Sequence, residues 1–312
     1  MPCTTILVGK RASYDGSTMI ARNDDAGGNH FTAKKYVIVH PEEQPKVYKS
    51  VISHIEIPLP EPVSYTHLLT IGAIEDAIEK SQPDFSVRRG FTSQIIIDPV
   101  KKRDNVVIDN VTEALDRAVK NGVKTLVIQP THLMNGLEYT DLVNEIAENA
   151  DSFEQVAVGE PLLTSDADFK AVIQAITDAT KEYDDGETAI CFMGHGTEAE
   201  SNQVYAKMQD MLTEEGFEHY YVGTVEATPS LDDVLAKVKE GSYKKVVLEP
   251  LMIVAGDHAN NDMAGDEEGS WKTTFEEAGY EVTCLVRGLG ELEPIQQLFV
   301  EHAKAAVDSL AK

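Results

Sequence analysis

Short apolar strands alternate with amphipathic helices along most of the chain, and this pattern limits the fold more than any other feature. Residues 188–196 and 244–256 are apolar runs that end in glycine, and Phe169, Val172 and Ile176 recur at helical spacing. Strands that are apolar on both faces belong in a parallel sheet with helices on each side. The sequence therefore predicts an α/β fold.

The same pattern predicts the positions of individual elements. Helices are predicted at residues 70–80, 111–122, 165–177, about 200–216, 230–238 and 294–310, and strands at residues 85–91, 123–130, 188–196, 219–226 and 244–256. The strand at 123–130 is expected to be buried. Ser165 and Ser230 are predicted helix N-caps, and Gly122 stands where a helix ends.

An internal repeat divides the body of the chain in two. Residues 124–139 align without gaps on residues 244–259, and the aligned positions share lysine, proline and glycine. A chance match of two apolar strands is the alternative, but the shared residues favour a repeat. We therefore expect two Rossmann-like lobes with parallel sheets flanked by helices. Lobe 1 is placed at 70–185 and lobe 2 at 186–312, with the C-terminal helix able to pack back on lobe 1.

Lobe 1 lacks the strand with which lobe 2 begins. Lobe 2 opens on the strand at 188–196, whereas lobe 1 opens directly on the helix that follows Thr70. A first strand is usually central in such a sheet, so its loss leaves neighbouring backbone groups without hydrogen-bond partners. The strand of lobe 1 is therefore missing or substituted, and ILVG at 6–9 or KYVIVH at 35–40 are the candidate substitutes.

The charge distribution changes at the start of lobe 1. The 312 residues carry a net charge of −26, from 27 basic and 53 acidic side chains. Residues 1–69 contain seven of each, so the whole acidic excess lies further along the chain. A proline-rich stretch, PLPEP, favours an extended chain at this boundary. We predict an N-terminal segment at 1–62 and a junction at 63–69, with a single acidic domain as the alternative.

Composition excludes several classes of protein. A chain this acidic is a poor partner for nucleic acid or anionic membranes. The sequence shows neither a signal-peptide core nor an apolar run of about 18 residues. The three cysteines lie far apart, which excludes a disulfide framework. We expect a cytoplasmic protein, and a homo-oligomer is compatible with the sequence.

Two histidines and a glutamate follow predicted strands of lobe 2. His195 and His258 each stand in a glycine-containing loop, and Glu226 ends the strand between them. Ligands bind at the carboxyl ends of parallel strands, so the three side chains are expected to converge. Together they can bind Co(II), Fe(II) or Ni(II), or accept protons near neutral pH. His132 follows a strand of lobe 1 and is a further candidate, while a structural role is the alternative for each histidine.

Several motifs together resemble one family. They are VRRGFTS at 87–93, IQPTHLMNGLEY at 128–139, FMGHG at 192–196, VGTVEATP at 222–229, PLMIVAGDHANNDMAGD at 250–266, SWK at 270–272 and GLGE at 288–291. The combination is similar to the anaerobic sirohydrochlorin cobaltochelatases, class II chelatases related to ferrochelatase. The resemblance implies two lobes around a tetrapyrrole cleft and ATP-independent insertion of Co(II) into sirohydrochlorin for cobalamin biosynthesis, with no organic cofactor. It also implies that His195 and His258 are active-site residues and that Glu226 binds metal.

Lobe 1 carries the residues expected to bind substrate. Sirohydrochlorin has many carboxylates, so a strongly acidic protein needs local cations to receive them. Arg89, next to Thr92 and Ser93, is the best candidate, and His132 is another. The resemblance also implies an opening strand followed by a Phe-Gly-Thr-Ser loop, and both are absent from this sequence.

Residues 1–60 resemble a different family. MPCTTILVGKRASYDGSTMIARNDD, followed by FTAKKYVIV, is similar to the start of the C69 dipeptidases, which are N-terminal-nucleophile hydrolases. The resemblance implies that Cys3 is a nucleophile next to its own α-amino group, which is freed by removal of the preceding residues. We therefore expect the chain to be a chimera of two genes. The alternatives to a chelatase are a cysteine dipeptidase and a non-catalytic carrier of tetrapyrrole or metal.

Overall fold

The computed structural model describes residues 69–94, 97–98 and 108–311, together with the backbone of four short strands nearer the N-terminus. The chain forms two compact units, Met1–Leu59 and Pro60–Lys312. The strands of the first unit pair antiparallel, β1 (Thr5–Val8) with β2 (Met19–Arg22) and β3 (Val47–Lys49) with β4 (Glu56–Pro58). Of the two predicted substitute strands, ILVG overlaps β1 and pairs with β2, whereas KYVIVH lies outside the described residues.

The second unit carries two separate parallel sheets, and we use lobe 1 and lobe 2 as names for the elements around each sheet. Lobe 1 comprises α1 (Ile71–Ser81), α2 (Val111–Lys120), β5 (Thr125–Ile128), α3 (Leu137–Asn149), β6 (Gln155–Val158) and α4 (Asp166–Thr180). Lobe 2 comprises β7 (Thr188–Gly194), α5 (Gln203–Glu214), β8 (Tyr220–Thr224), α6 (Leu231–Glu240), β9 (Lys245–Pro250), α7 (Trp271–Glu277), β10 (Glu281–Cys284) and α8 (Glu293–Ser309). Among the described helices, none is long and apolar enough to cross a membrane.

The sheet of lobe 2 has four parallel strands in the order β10-β9-β7-β8. β7 lies between β9 and β8, and all seven of its residues are buried. Ile190 and Phe192 face one core cluster, while Cys191 and Met193 face the other. The predicted apolar strand is therefore covered on both faces, and the α/β fold is confirmed.

Local capping explains where the helices begin and end. Ser165 and Ser230 accept hydrogen bonds from the backbone N–H groups of Asp168 and Asp233, and the two aspartate side chains accept hydrogen bonds from the serine N–H groups. Gly122 follows α2 with a φ of 72°, a conformation that glycine adopts without strain. The sequence signals at all three predicted boundaries are confirmed.

The sheet of lobe 1 is smaller, and two predictions are wrong here. β5 pairs with β6 alone, because the described residues include no counterpart of β7. All four residues of β5 are only half-buried, so the strand predicted at 123–130 is not a buried one. The strand predicted at 85–91 does not form, and Phe91 makes an isolated bridge to Asn110. Its counterpart in lobe 2 is β8, which is held by backbone hydrogen bonds to β7. The described part of lobe 1 has no strand equivalent to β7, so residues 85–91 have no such partner and do not form a stable strand.

The last helix of each lobe packs across the boundary between the lobes. α4 packs on α5 and contributes Phe169, Val172 and Ile176 to a core cluster of the lobe 2 sheet. α8 packs on α1, β5 and β6 of lobe 1. At the end of α8, the Gln155 side chain donates a hydrogen bond to the Leu310 carbonyl oxygen at 3.1 Å. This exchange of helices joins the two lobes into one unit.

His302 of α8 contacts Asp168 where α8 and α4 cross. The His302 Nε2 atom lies 3.1 Å from the Asp168 carboxylate, and its Nδ1 atom lies 3.1 Å from the Glu160 carbonyl oxygen. Burial of the Asp168 carboxyl opposes ionisation, but hydrogen bonds from Ser165 and His302 outweigh burial and lower its pKa. The charged carboxylate therefore stabilises this crossing.

We expect Asp168→Asn to lower the free energy of unfolding by about 1–2 kcal/mol near neutral pH. Because folding lowers the pKa of Asp168, its contribution is complete above the unfolded pKa of about 4 and is lost as the pH falls through the folded value. Urea unfolding of both proteins at decreasing pH measures the difference, which should shrink toward acid. Asp233→Asn is the matched control, since Asp233 caps α6 in the same way without a histidine among its described contacts. Equal losses in the two variants would contradict a role for His302.

Candidate functional site

Three loops at the carboxyl edge of the lobe 2 sheet bring His195, Glu226 and His258 together. They follow β7, β8 and β9, the three adjacent strands of that sheet. One ligand atom from each side chain lies within 4.8 Å of the others. The two imidazole rings meet edge to face, with centroids 4.6 Å apart and an angle of 90° between the rings. Parallel strands place these chain positions at one edge, and the structure places the side chains in one cluster.

Backbone hydrogen bonds continue past the ends of β7 and β8 and fix the spacing of His195 and Glu226. The Glu226 N–H donates to the His195 carbonyl oxygen at 2.9 Å, and the Val225 N–H donates to the Gly194 carbonyl oxygen at 3.0 Å. Gly196 then turns with a φ of 87°, where an added Cβ would lie 2.8 Å from a backbone nitrogen of the β8 loop. Glycine at this position therefore allows the two loops to approach each other.

The Asn202 side chain ties the same two loops together a second time. Its Oδ1 atom accepts a hydrogen bond from the Thr197 N–H at 3.1 Å, and its Nδ2 atom donates to the Thr228 carbonyl oxygen at 2.7 Å. Thr197 lies two residues after the first histidine of the cluster, and Thr228 lies two residues after the glutamate. Hydrogen bonds therefore join the two loops at His195 and Glu226 and again two residues further along each loop.

His258 is held in a different way from His195. His258 immediately precedes a π-helical turn, Ala259–Met263, and its Nδ1 atom lies 2.7 Å from a carboxylate oxygen of Asp262. The Nδ1 atom of His195 instead lies 2.9 Å from the carbonyl oxygen of the next residue and 3.7 Å from the Glu226 carboxylate. Asp262 is not among the site residues predicted from the sequence, although its four-residue spacing from His258 in DHANNDM was a usable signal.

The three side chains are accessible to a ligand. The side chains of His195, Glu226 and His258 are 48%, 55% and 32% exposed. Two imidazoles and one carboxylate at this separation can hold a mid-row divalent ion such as Co(II), Fe(II) or Ni(II). Because the three ligand atoms are partly exposed, an ion held by them would stay accessible to a second ligand.

A loop of lobe 1 reaches the loops that carry this cluster. An added Cβ at Gly136, the residue before α3, would lie 3.7 Å from the Ser201 hydroxyl of lobe 2. Ser201 immediately precedes Asn202, whose side chain ties the histidine and glutamate loops. The start of α3 in lobe 1 therefore lies next to the Ser201–Asn202 segment of lobe 2.

His132 lies in that lobe 1 loop. Its side chain is 17% exposed, its Nε2 atom lies 3.8 Å from the Glu138 carboxylate, and its buried Nδ1 atom has no partner among the described residues. Burial lowers the pKa of His132, which favours the neutral ring. The buried Nδ1 atom of this neutral imidazole is available to donate or accept a hydrogen bond.

Of the other residues predicted to bind substrate, Arg89 is already paired with a carboxylate of its own chain. The Arg89 guanidinium forms an ion pair with Glu75 of α1, with its Nε atom 2.9 Å from the carboxylate. Thr92 is exposed and Ser93 is half-buried in the segment after Arg89. These three residues remain predictions as substrate ligands, and Cys3 lies outside the described residues.

The sequence of the second unit matches a known family. A sequence model of the family described as cobalt chelatase (CbiK) matches residues 63–308. The sirohydrochlorin cobaltochelatase of Salmonella typhimurium is 36% identical over 238 residues, which cover 76% of this chain and 89% of that protein. Among solved structures, SirB from Bacillus subtilis with Fe³⁺ has a TM-score of 0.51 at 13% identity, covering 76% of this chain and 90% of that chain. The structural similarity supports the fold alone.

The N-terminal segment matches a different kind of protein. A dipeptidase of Bifidobacterium longum is 63% identical over 67 residues, which are 21% of this chain and 13% of the dipeptidase. Both predicted resemblances are therefore confirmed. Similarity to two unrelated kinds of protein supports the prediction of a chimera.

Proposed function

The chain belongs to the cobalt chelatase (CbiK) family, and from this premise we propose that it inserts Co(II) into sirohydrochlorin with His195, Glu226 and His258 as its metal site. The convergence of their three ligand atoms within 4.8 Å is the observation that supports this site. Cobalt is the substrate of the reaction, and the site needs to hold it only until transfer.

Insertion exchanges two protons for one metal ion. Two pyrrole N–H bonds of the macrocycle break, two protons leave, and one divalent ion binds the ring nitrogens, so charge is balanced. Neutral imidazole suits both halves of this exchange, because it ligates mid-row metals and accepts protons near neutral pH. The Glu226 carboxylate offsets the charge of the incoming ion and shares in holding it.

Lobe 1 supplies the other side of the proposed cleft. Arg89, Thr92, Ser93 and His132 are proposed to receive the carboxylates of sirohydrochlorin. Since Arg89 is already paired with a carboxylate of its own chain, the substrate has to share or displace that partner. The strong negative charge of the protein makes such local donors necessary, because unpaired substrate carboxylates would be repelled.

An insertion assay with the purified full-length chain tests this function. Sirohydrochlorin is offered with Co(II), Ni(II) or Fe(II) under anaerobic conditions, and the visible spectrum of the tetrapyrrole reports metal insertion. We expect the fastest insertion with Co(II), although the ligand types accept all three ions. Tight binding of sirohydrochlorin without insertion of any metal would instead indicate a non-catalytic carrier.

The dipeptidase alternative has little support. The chain spans 13% of the dipeptidase to which its N-terminal segment is similar. Hydrolysis of dipeptides by the purified chain, lost on Cys3→Ala, would revive this alternative.

A further inference from the structure

His258 has a carboxylate partner that is not one of the three metal-ligand candidates. We propose that Asp262 is a positioning residue, which fixes the His258 ring so that its Nε2 atom faces the metal. This inference rests on the proposed function, because that function makes His258 a metal ligand. Asp262 is not one of the residues whose ligand atoms converge, so in this proposal it acts through the imidazole.

The hydrogen bond determines which ring nitrogen carries the proton. The Nδ1 atom of His258 lies 2.7 Å from the Asp262 Oδ2 atom, and an ionised carboxylate can only accept a hydrogen bond. Nδ1 therefore donates its N–H, and the lone pair that can bind metal is on Nε2. The same bond prevents the ring from flipping, which would exchange the two nitrogens. Carboxylate partners of this kind orient metal-binding histidines and strengthen them as ligands.

Buried neighbours hold Asp262 in place. It lies in the turn Ala259–Met263, and the side chains at both ends of this turn are fully buried. Met263 packs in the same core cluster as Trp271 and Phe275 of α7. The backbone that carries Asp262 is therefore anchored in the core through Ala259 and Met263, while its carboxylate contacts the imidazole.

Among the described residues, His195 has no equivalent carboxylate at hydrogen-bond distance. Its Nδ1 atom lies 2.9 Å from the carbonyl oxygen of Gly196, while the nearest carboxylate, that of Glu226, is 3.7 Å away. The two imidazoles therefore differ in what orients them. His258 is held by a charged acceptor outside the metal cluster, so the loss of that acceptor affects one ligand and not the other.

Binding of Co(II) alone to the full-length chain tests the inference without any tetrapyrrole. Competition with a colorimetric chelator gives the dissociation constant of each variant. We expect Asp262→Ala to weaken Co(II) binding by about 10- to 100-fold. Asp262→Asn should retain much of the affinity, because its amide oxygen still accepts the Nδ1–H hydrogen bond. Nitrogen NMR of labelled histidine should show the Nδ1–H form of His258 in the parent and a mixture of both forms in Asp262→Ala.

Asp257→Ala is the matched control. Asp257 accepts a hydrogen bond of 2.8 Å from the Asn261 side chain, with the same four-residue spacing next to the same turn, but among the described residues it makes no hydrogen bond or ion pair with a histidine. We expect Co(II) binding to stay within about twofold of the parent. Unchanged binding in Asp262→Ala, or equal losses in Asp257→Ala and Asp262→Ala, would overturn the inference. A parent chain that binds Co(II) but never inserts it would refute the proposed function and leave this inference standing.

Discussion

Replacement of either His195 or His258 by alanine is expected to reduce cobalt insertion by at least about 100-fold. Each variant removes one of three ligand atoms that lie within 4.8 Å of one another, and it also removes a group able to accept a pyrrole proton. A remaining imidazole and carboxylate bind a divalent ion more weakly and hold it in a less defined position. The rate is measured from the change in the visible spectrum of sirohydrochlorin at saturating Co(II).

His219→Ala is the matched control for the loss of a histidine. His219 lies just before β8, at the edge of the sheet opposite the cluster, and its Nδ1 atom is 3.0 Å from the Tyr243 hydroxyl. Its removal should leave the insertion rate within about twofold of the parent. Because His195 and His258 are partly exposed, their alanine variants should keep the parent's melting temperature within about 2 °C. Insertion at the parent rate by both variants would show that the metal site lies elsewhere.

Much of lobe 2 could be predicted because its signals are local. β7 has a continuous apolar run after Thr188 and is buried on both faces. Ser230 caps α6 through hydrogen bonds made within residues 230–233 alone. His195, Glu226 and His258 could be placed at one edge because parallel strands all end at the same side of a sheet. The direction of the strands was enough to predict that the three side chains lie at one edge, and no interatomic distance was needed.

Features that depend on distant partners could not be predicted. Glu249 stands inside β9 and is 1% exposed, because Arg287 pairs with it at 2.5 Å and also donates to the Ala179 carbonyl oxygen at the end of α4. Nothing in the apolar pattern around Glu249 indicates that partner. The ion pair between Arg89 and Glu75 is another such feature, since the sequence neighbours of Arg89 do not reveal it.

The errors in lobe 1 have one common cause. The predictions at 85–91 and 123–130 assumed a complete sheet, whereas the described part of lobe 1 contains only β5 and β6. A strand is stable only when neighbouring strands pair with its backbone. When the central partner is missing, a sequence with the right local pattern therefore forms a half-buried strand or no strand. The half-buried β5 is the direct consequence.

Supplying the missing partner is therefore expected to stabilise lobe 1 by roughly 2–4 kcal/mol. The insertion is a copy of residues 187–194 between Leu69 and Thr70, followed by a flexible linker of eight residues, the number that separates β7 from α5 in lobe 2. The copied strand should pair with β5, complete the burial of its apolar side chains and satisfy its free backbone groups. Urea unfolding gives the gain in free energy, and hydrogen exchange should slow at the β5 amides, about tenfold for each 1.4 kcal/mol.

A proline-containing version of the same insertion separates strand pairing from the effect of added length. Ile190→Pro and Phe192→Pro in the copy remove two backbone donors and disfavour a central strand, while length and linker stay the same. This version should match the parent in stability and in exchange at β5. If both insertions stabilise equally, the gain does not come from pairing with β5. The half-burial of β5 would then have a cause other than the loss of its neighbour, and the internal repeat would no longer explain the structure of lobe 1.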